Sequence, residues 1–387
     1  MKRKVFFALF SAVIICFSQI ELAQAKTVSN QTEESQIEEE ETNDVDFLTV
    51  LEIPEREDAE VLTLDEAIEK ALKNSSALKQ ANNSLKLSEK KVDRASTTYL
   101  GSVSGESLSN LMSLIQQNAS YSTSLITKEI QEGSLEYSMK KTYIEIINTE
   151  REIALEKISL ANDLKELTVT REKAKLGLIS DKELSDAELA YQTSLVAMQS
   201  KQKALEEAYT TFDTLIGNTK GTVYQLTLEP KYEKLELTVP IESYAISKAA
   251  KDLNVQKLKK EVEVAQENKK TVNVNMNAGV DSVQEADNSL ATAQMNLSDT
   301  RDELENKITS CYNSILQNEK EYDNAFAELE NLKKAYEINE NKLNLGLITE
   351  IELEQTKEQI AQKESSMIQL MYEHMLLMEQ LENTYLL

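Results

Sequence analysis

The 387-residue sequence has little punctuation: 8 glycines, 3 prolines and no tryptophan. Compact folds built from many short elements need turns, and turns draw on Gly and Pro, so this scarcity makes long helices the natural reading. Histidine occurs once, at His374, and cysteine twice, at Cys16 and Cys311. A single histidine has no second imidazole with which to form a zinc or catalytic pair, and the sequence holds no nucleophile elbow, phosphate-cradling glycine loop or metal-ligand cluster. The expectation is a protein that is not an enzyme and carries no metal or cofactor. Cationic charge is also short, with 42 Lys and Arg against 67 Asp and Glu for a net charge of −25. No basic stripe is present, so nucleic acid and anionic lipid are poor partners.

What is present begins with Lys2, Arg3 and Lys4, then an apolar run from Val5 to Phe17 and the small-residue pattern Ala23-Gln24-Ala25. This is the layout of a secretory signal peptide over residues 1–25, too short for a comfortable membrane span. Cys16 follows Ile14-Ile15 rather than a small residue, which argues against lipidation. After cleavage Cys311 is the only cysteine, so no intrachain disulfide is possible and packing must hold the fold. Residues 26–60 are polar and acidic, with Glu33, Glu34 and Glu38 to Glu41, and read as a flexible leader. An acidic docking tail is the alternative.

The remainder is one unit written twice. A shift of 169 lays Leu176-Gly177-Leu178-Ile179-Ser180-Asp181-Lys182-Glu183-Leu184 on Leu345-Gly346-Leu347-Ile348-Thr349-Glu350-Ile351-Glu352-Leu353, and every pair is identical or conservative except Lys182/Ile351. The same shift carries Ile146, Ile153, Leu160, Leu167 and Ala174 onto Ile315, Tyr322, Leu329, Tyr336 and Leu343. Beyond the turn it carries Leu184, Tyr191, Met198, Leu205 and Phe212 onto Leu353, Ile360, Met367, His374 and Leu381. A stripe that recurs every seventh residue stays on one partner only if helices supercoil, so each arm is half of a coiled-coil hairpin that reverses at Gly177 or Gly346. Asn318 and Asn339 interrupt the second outbound seam, leaving a narrow, partly polar core.

Each copy also opens with its own helix, Ala67-Ile68-Glu69-Lys70-Ala71-Leu72-Lys73-Asn74 matching Ala245-Ile246-Ser247-Lys248-Ala249-Ala250-Lys251-Asp252 at an offset of 178. Thr63 with Glu66 predicts a capping box at the first. The fold expected is all-α: two tandem repeats of long antiparallel helical hairpins, repeat 1 over 61–217 and repeat 2 over 241–387, joined by a linker at 218–240 with extended character around residues 222–228. At 1.5 Å per residue, residues 125–176 would span on the order of 75 Å and residues 348–385 about 57 Å. Residues 271–280 alternate polar and apolar side chains as a half-buried strand does. Residues 99–105 are a weaker strand candidate, and 108–115 look helical. A transmembrane strand needs about 9 to 11 residues, so at most one short strand per copy is available, with little or no β-barrel.

The opening Leu62-Thr63-Leu64-Asp65-Glu66-Ala67-Ile68-Glu69-Lys70-Ala71-Leu72-Lys73-Asn74-Ser75, the repeated Leu-Gly-Leu-Ile-Ser/Thr turn and Leu215-Ile216-Gly217 resemble the TolC-like outer-membrane efflux proteins, over about residues 61–387. The resemblance implies a homotrimer whose hairpins form a hollow tube, exported to the outer membrane where the cell has one. It also implies that the turns, Gly177, Leu178 and Ile179 with Gly346, Leu347 and Ile348, meet a periplasmic adaptor protein of a pump. Family members commonly carry Arg four residues before the tip glycine; Lys173 and Lys342 stand there instead and lose the planar fork. The family also has two full membrane strands per copy, which this sequence lacks. A barrel-less extracytoplasmic scaffold or spacer is therefore the alternative.

Several residues have blander readings. The turn glycines end helices, and Ser180 and Thr349 cap the next ones. Asp181, Glu183, Glu350 and Glu352 would ring the mouth of a trimer, or simply sit where helix starts welcome carboxylates. His374 occupies a seam position and reads as a packed core residue. Met367, Met371, Met375 and Met378 read as adaptable core filling, and Cys311 as an inert seam residue.

Overall fold

The computed structural model describes residues 59–102, 107–218, 224–275 and 279–387. All lie within one compact unit, residues 47–387. The expected signal peptide, and all but the last two residues of the expected leader, fall outside the described residues.

Among the described residues there are eight helices: α1 Leu64–Asn74, α2 Ser76–Leu100, α3 Ser107–Lys175, α4 Asp181–Ile216, α5 Ile241–Lys251, α6 Leu253–Val274, α7 Val280–Asn344 and α8 Glu350–Glu382. Two two-residue strands, β1 Glu60–Val61 and β2 Tyr224–Gln225, pair in parallel. A 3-10 turn, Thr384–Leu386, closes the chain. The all-α expectation and its duplication hold, and no closed barrel exists among the described residues. Helices α3 and α7, of 69 and 65 residues, are each ~100 Å long. The first is thus longer than the predicted arm, because the helix begins at Ser107.

The rods lie side by side in a simple order. Helix α3 packs against α2 and α4 on one flank and α6 and α8 on the other, and α7 closes the row against α6 and α8. Helices α4 and α2 share one rod position: the Asn74 side chain donates to the Ile216 carbonyl where the two meet. Helices α8 and α6 share another, joined where Thr384 donates to Asp252. Two unbroken rods therefore alternate with two broken ones.

Each break is capped. Thr63 and Glu66 form the expected capping box at α1, Ser75 accepts from Leu78 N–H at α2, and Asp252 accepts from the N–H groups of Asn254 and Val255 at α6. Gly217 ends α4 with φ +71°, a left-handed conformation that L side chains adopt at a cost.

The two main apolar clusters sit at these breaks. One gathers Ala67, Ala71, Met139, Tyr143, Ile146, Phe212, Ile216, Tyr224 and Tyr372; the other gathers Ala245, Ala249, Val255, Ile308, Cys311, Ile315 and Leu381. Ala67/Ala245 and Ala71/Ala249 are the pairs matched by the offset of 178. The described part of the linker is strapped across this level. The Tyr143 hydroxyl donates to the Leu62 carbonyl and accepts from Thr227 N–H, Tyr372 donates to the Leu228 carbonyl, Leu235 N–H donates to Glu319, and Tyr232 stacks on Tyr322 at 4.0 Å. Burial pushes the Tyr143 hydroxyl up to about 12, so it stays protonated as a donor.

The strand expected at 271–280 is corrected. Thr271 to Val274 complete α6 and Val280 opens α7, because a lone strand at this end would leave its backbone unpaired whereas a helix satisfies it internally. Tyr99 and Leu100 likewise belong to α2; residues 103–105 and 276–278 of those expectations lie outside the described residues. The helical reading of 108–115 holds within α3. Glu60, placed in the leader by composition, belongs to β1. Connections of six residues between α2 and α3 and five between α6 and α7 leave no room at either place for a bilayer-spanning strand of about 9 to 11 residues.

Candidate functional site

The chain reverses at the two predicted turns, and both have the same construction. Gly177 and Gly346 take φ of +69° and +68°. Leu178 N–H donates back to the Lys173 carbonyl at 3.0 Å and Leu347 N–H to the Lys342 carbonyl at 2.9 Å, while the glycine N–H groups reach Ala174 and Leu343. These bonds occupy carbonyls that a helix end would otherwise leave free. Lys173 and Lys342 thus join the tip through their backbones, and their side chains are exposed. A Cβ on either glycine would meet nothing within 4 Å, so backbone conformation and not space selects glycine here.

The next helices start with capping boxes. Ser180 accepts from Glu183 N–H, whose carboxylate accepts from the Ser180 N–H; Thr349 and Glu352 repeat the arrangement. Backbone hydrogen bonds to Ser180 and Thr349 hold both carboxyls below the ordinary value, with the hydroxyl bonds and then Lys173 and Lys342 adding to the effect. Glu183 and Glu352 are therefore engaged inside their own hairpins. Asp181 and Glu350 are exposed in the same first turns. Ile179 and Ile348 are half-buried, at the spacing from Leu184 and Leu353 of a hydrophobic staple. The apolar residues presented outward are Leu176 and Leu178, and Leu345 and Leu347. Leu176 and Leu345 carry no such signal in the sequence, because two residues beyond the seam positions Ala174 and Leu343 a leucine's exposure depends on how the turn closes.

A second feature emerges from comparing the two copies. The seam of α8 is buried at every heptad position: Leu353, Ile360, Met367, His374 and Leu381. The matching seam of α4 is only half-buried at Leu184, Tyr191, Met198 and Leu205, and closes at Phe212. The sequences match; the neighbours do not. Helix α8 has α3 on one side and α7 on the other, whereas α4 has α3 alone along its length and α1 near its end. Leu189 and Val196 on α4 are 66% and 65% exposed. Of their counterparts at the shift of 169, Glu358 lies against α3, where Asn162 donates to it, and Ser365 is buried. Asn331, the counterpart of Asn162 on α7, is exposed. One flank of the row thus ends in an unpaired α4 face, and the other in an unpaired α7 face of the kind that α8 already uses on α3.

His374 is buried, 3.2 Å from the Glu319 carboxylate and beside the Tyr232 ring, as a seam residue. Met367 is fully buried, and Met375 and Met378 pack on the core clusters. Cys311 is buried, its thiol pushed up to about 11 by desolvation and hence inert. Asn318 is buried with no partner for its amide, and Asn339 donates to Thr356 across the α7–α8 seam. Among the described residues no cluster of metal-ligating side chains occurs, and no helix is long and apolar enough to cross a membrane.

Neither a family model nor a curated protein matches the sequence. Solved structures do match the fold. The Campylobacter jejuni CmeC outer membrane channel aligns with a TM-score of 0.64 at 12% identity, covering 84% of this chain and 85% of that one. The Vibrio cholerae outer membrane protein VceC gives 0.64 at 11%, covering 84% and 96%. The Neisseria gonorrhoeae MtrE outer membrane channel in its open state gives 0.59 at 13%, covering 93% and 98%. Two tandem hairpins turning at glycine, four rods in a row and these alignments together give the chain the TolC-like fold of the outer-membrane efflux channels.

Proposed function

We propose that the protein is a non-enzymatic efflux or secretion channel component of the cell envelope, three copies of which close into a helical conduit that docks an adaptor protein at its glycine tips. The carrying observation is the mismatch between equivalent seams. A half-buried heptad face on α4 and an exposed α7 flank are the two halves of the contact that α8 and α3 make within one chain. Laid edge to edge, three rows of four rods would repeat that contact and close a tube with no flank left over. The match to solved outer membrane channels supports the same reading.

At the tips, Gly177, Leu178 and Ile179 with Gly346, Leu347 and Ile348 are the residues we assign to the adaptor. Leu176 and Leu345 enlarge the apolar patch, and Lys173 and Lys342 supply charge beside it. Asp181, Glu183, Glu350 and Glu352 would line the mouth and favour cations there.

The test is a pair of substitutions, Leu189→Cys with Asn331→Cys, in a Cys311→Ser background of the chain lacking residues 1–25. A bifunctional maleimide should produce covalent trimers from the double variant and none from either single one. Light scattering that finds only monomer with and without detergent would return the chain to the scaffold reading.

A further inference from the structure

Helices α2 and α3 lie side by side and leave a pocket of about 270 Å³ between them. Lys91, Arg94 and Thr98 line the α2 wall, and Asn110, Ser113 and Gln117 line the α3 wall. Both sets follow the i, i+3, i+7 spacing that keeps side chains on one face of a helix. Part of the lining is fixed in place: the Thr98 hydroxyl donates to the Arg94 carbonyl at 2.9 Å, and the Asn110 amide donates to Ser102 Oγ at 2.7 Å. No carboxylate lines the pocket, and Asp93, between the two cations in sequence, is not part of the lining.

Two cations on one helix face repel, so a structural role would call for a carboxylate opposite them. The facing wall has none to give: residues 107–127 of α3 contain no charged side chain, and Lys91 and Arg94 pair with no carboxylate among the described residues. The helix dipole does not account for them either, since no basic residue stands in the last turn of α2. The second copy shows that the scaffold folds without them. Its N-cap, Asp252, answers Ser75 at an offset of 177, which also lays buried Leu78 and Ser88 on buried Val255 and Ala265. At that offset Lys91 becomes Asn268 and Arg94 becomes Thr271. The cation that α6 does carry at this level, Lys269, is neutralised across the helix pair by Asp287 at 2.8 Å; the residue of α3 matching Asp287 at the shift of 169 is Asn118. Copy one alone has gathered two unneutralised positive charges at one pocket, in a chain whose net charge is −25.

We infer that this pocket between α2 and α3 binds the phosphoryl group of a small phosphomonoester in solution. The planar guanidinium of Arg94 matches two phosphate oxygens, and the Lys91 ammonium supplies a point charge to the group. Ser113 and Gln117 add neutral donors, and the volume leaves room beyond the phosphoryl group for an organic part of a few atoms. Because Lys91 and Arg94 are exposed, added salt weakens the contact. The site lies within one helix pair and needs no second copy of the chain.

The experiment is a phosphorus NMR titration of glycerol 3-phosphate with the chain lacking residues 1–25 at low ionic strength. The wild type should give a saturable response that neutral glycerol does not compete away. Arg94→Gln and Lys91→Gln should each weaken binding on the order of tenfold. Lys86→Gln, which removes the same charge from α2 outside the pocket, should leave binding unchanged. Gln117→Glu, which sets a carboxylate in the α3 wall, should abolish binding without lowering the melting temperature followed by circular dichroism. A wild type with no saturable response overturns the inference. So does a Lys86→Gln variant that loses binding as far as Arg94→Gln does, or competition by glycerol. Flotation with phosphatidylcholine vesicles containing phosphatidic acid separates the two sources of the phosphoryl group: a chain that floats with them yet ignores glycerol 3-phosphate overturns the assignment to a soluble ester.

Discussion

Thr384 donates its hydroxyl to Asp252 at 2.8 Å, tying the last turn of the chain to the N-cap of α6, 132 residues earlier. Asp252 is buried and also accepts from Asn254 and Val255 N–H. One carboxylate thus caps α6 and welds it to the end of α8. Asp252→Ala should cost about 1 to 3 kcal/mol, the range for losing a cap and stranding buried donors. Asp252→Asn, which keeps an acceptor oxygen, should cost less. Urea unfolding of both variants measures the difference.

Gly133 lies inside α3, where replacing glycine by alanine ordinarily stabilises a helix by about 1 kcal/mol. Here a Cβ would fall 1.9 Å from the Tyr385 hydroxyl oxygen and 2.7 Å from Cζ. Gly133→Ala should therefore lower the melting temperature by expelling Tyr385. The double variant with Tyr385→Ala should lie above Tyr385→Ala alone. A Gly133→Ala protein that melts higher than wild type would show that Tyr385 moves aside freely.

Leu329 and Leu189 test inside against edge. Leu329 is fully buried on the α7 seam, so Leu329→Ala should cost about 2 to 5 kcal/mol. Leu189→Ala should stay within about 0.5 kcal/mol for the monomer, yet raise the concentration at which oligomers form. Denaturation and sedimentation on the same samples separate the two effects.

The tips should respond to acid. Glu183 and Glu352 have carboxyls held low by their capping bonds, so their contribution is complete at neutral pH and lost as pH falls through the folded-state value, below the ordinary carboxylate value of about 4.3. Hydrogen exchange at the starts of α4 and α8, corrected for intrinsic rates, should quicken in that window. Glu183→Gln and Glu352→Gln should flatten the response.

The tips and the rods were legible in the sequence because the information is local. Gly177 and Gly346 end helices by their own backbone freedom, Ser180 and Thr349 cap by their own side chains, and a heptad declares its seam. The breaks between α1 and α2 and between α5 and α6 were legible only as opening helices, since α2 and α6 are polar and their burial depends on lying against α3 and α7. Residues 271–280 misled because alternation along Thr-Val-Asn-Val is also what the last turn of a helix can carry, and choosing between them requires knowing whether a partner strand exists. The unequal burial of α4 and α8 could not be read at all: Leu205 and His374 hold the same heptad position, and only the presence of α7 beside α8 separates them.

Both broken rods are interrupted at the same height, at Asn74–Ile216 and at Asp252–Thr384, while α3 and α7 run through. Along most of its length a row of four continuous cylinders resists flexing; at this one level only two of them do. A transverse load is therefore concentrated at the waist, where the strapped segment 224–240 and the two richest apolar clusters also lie. The strap and the two clusters thus reinforce the row where its continuous cylinders are fewest.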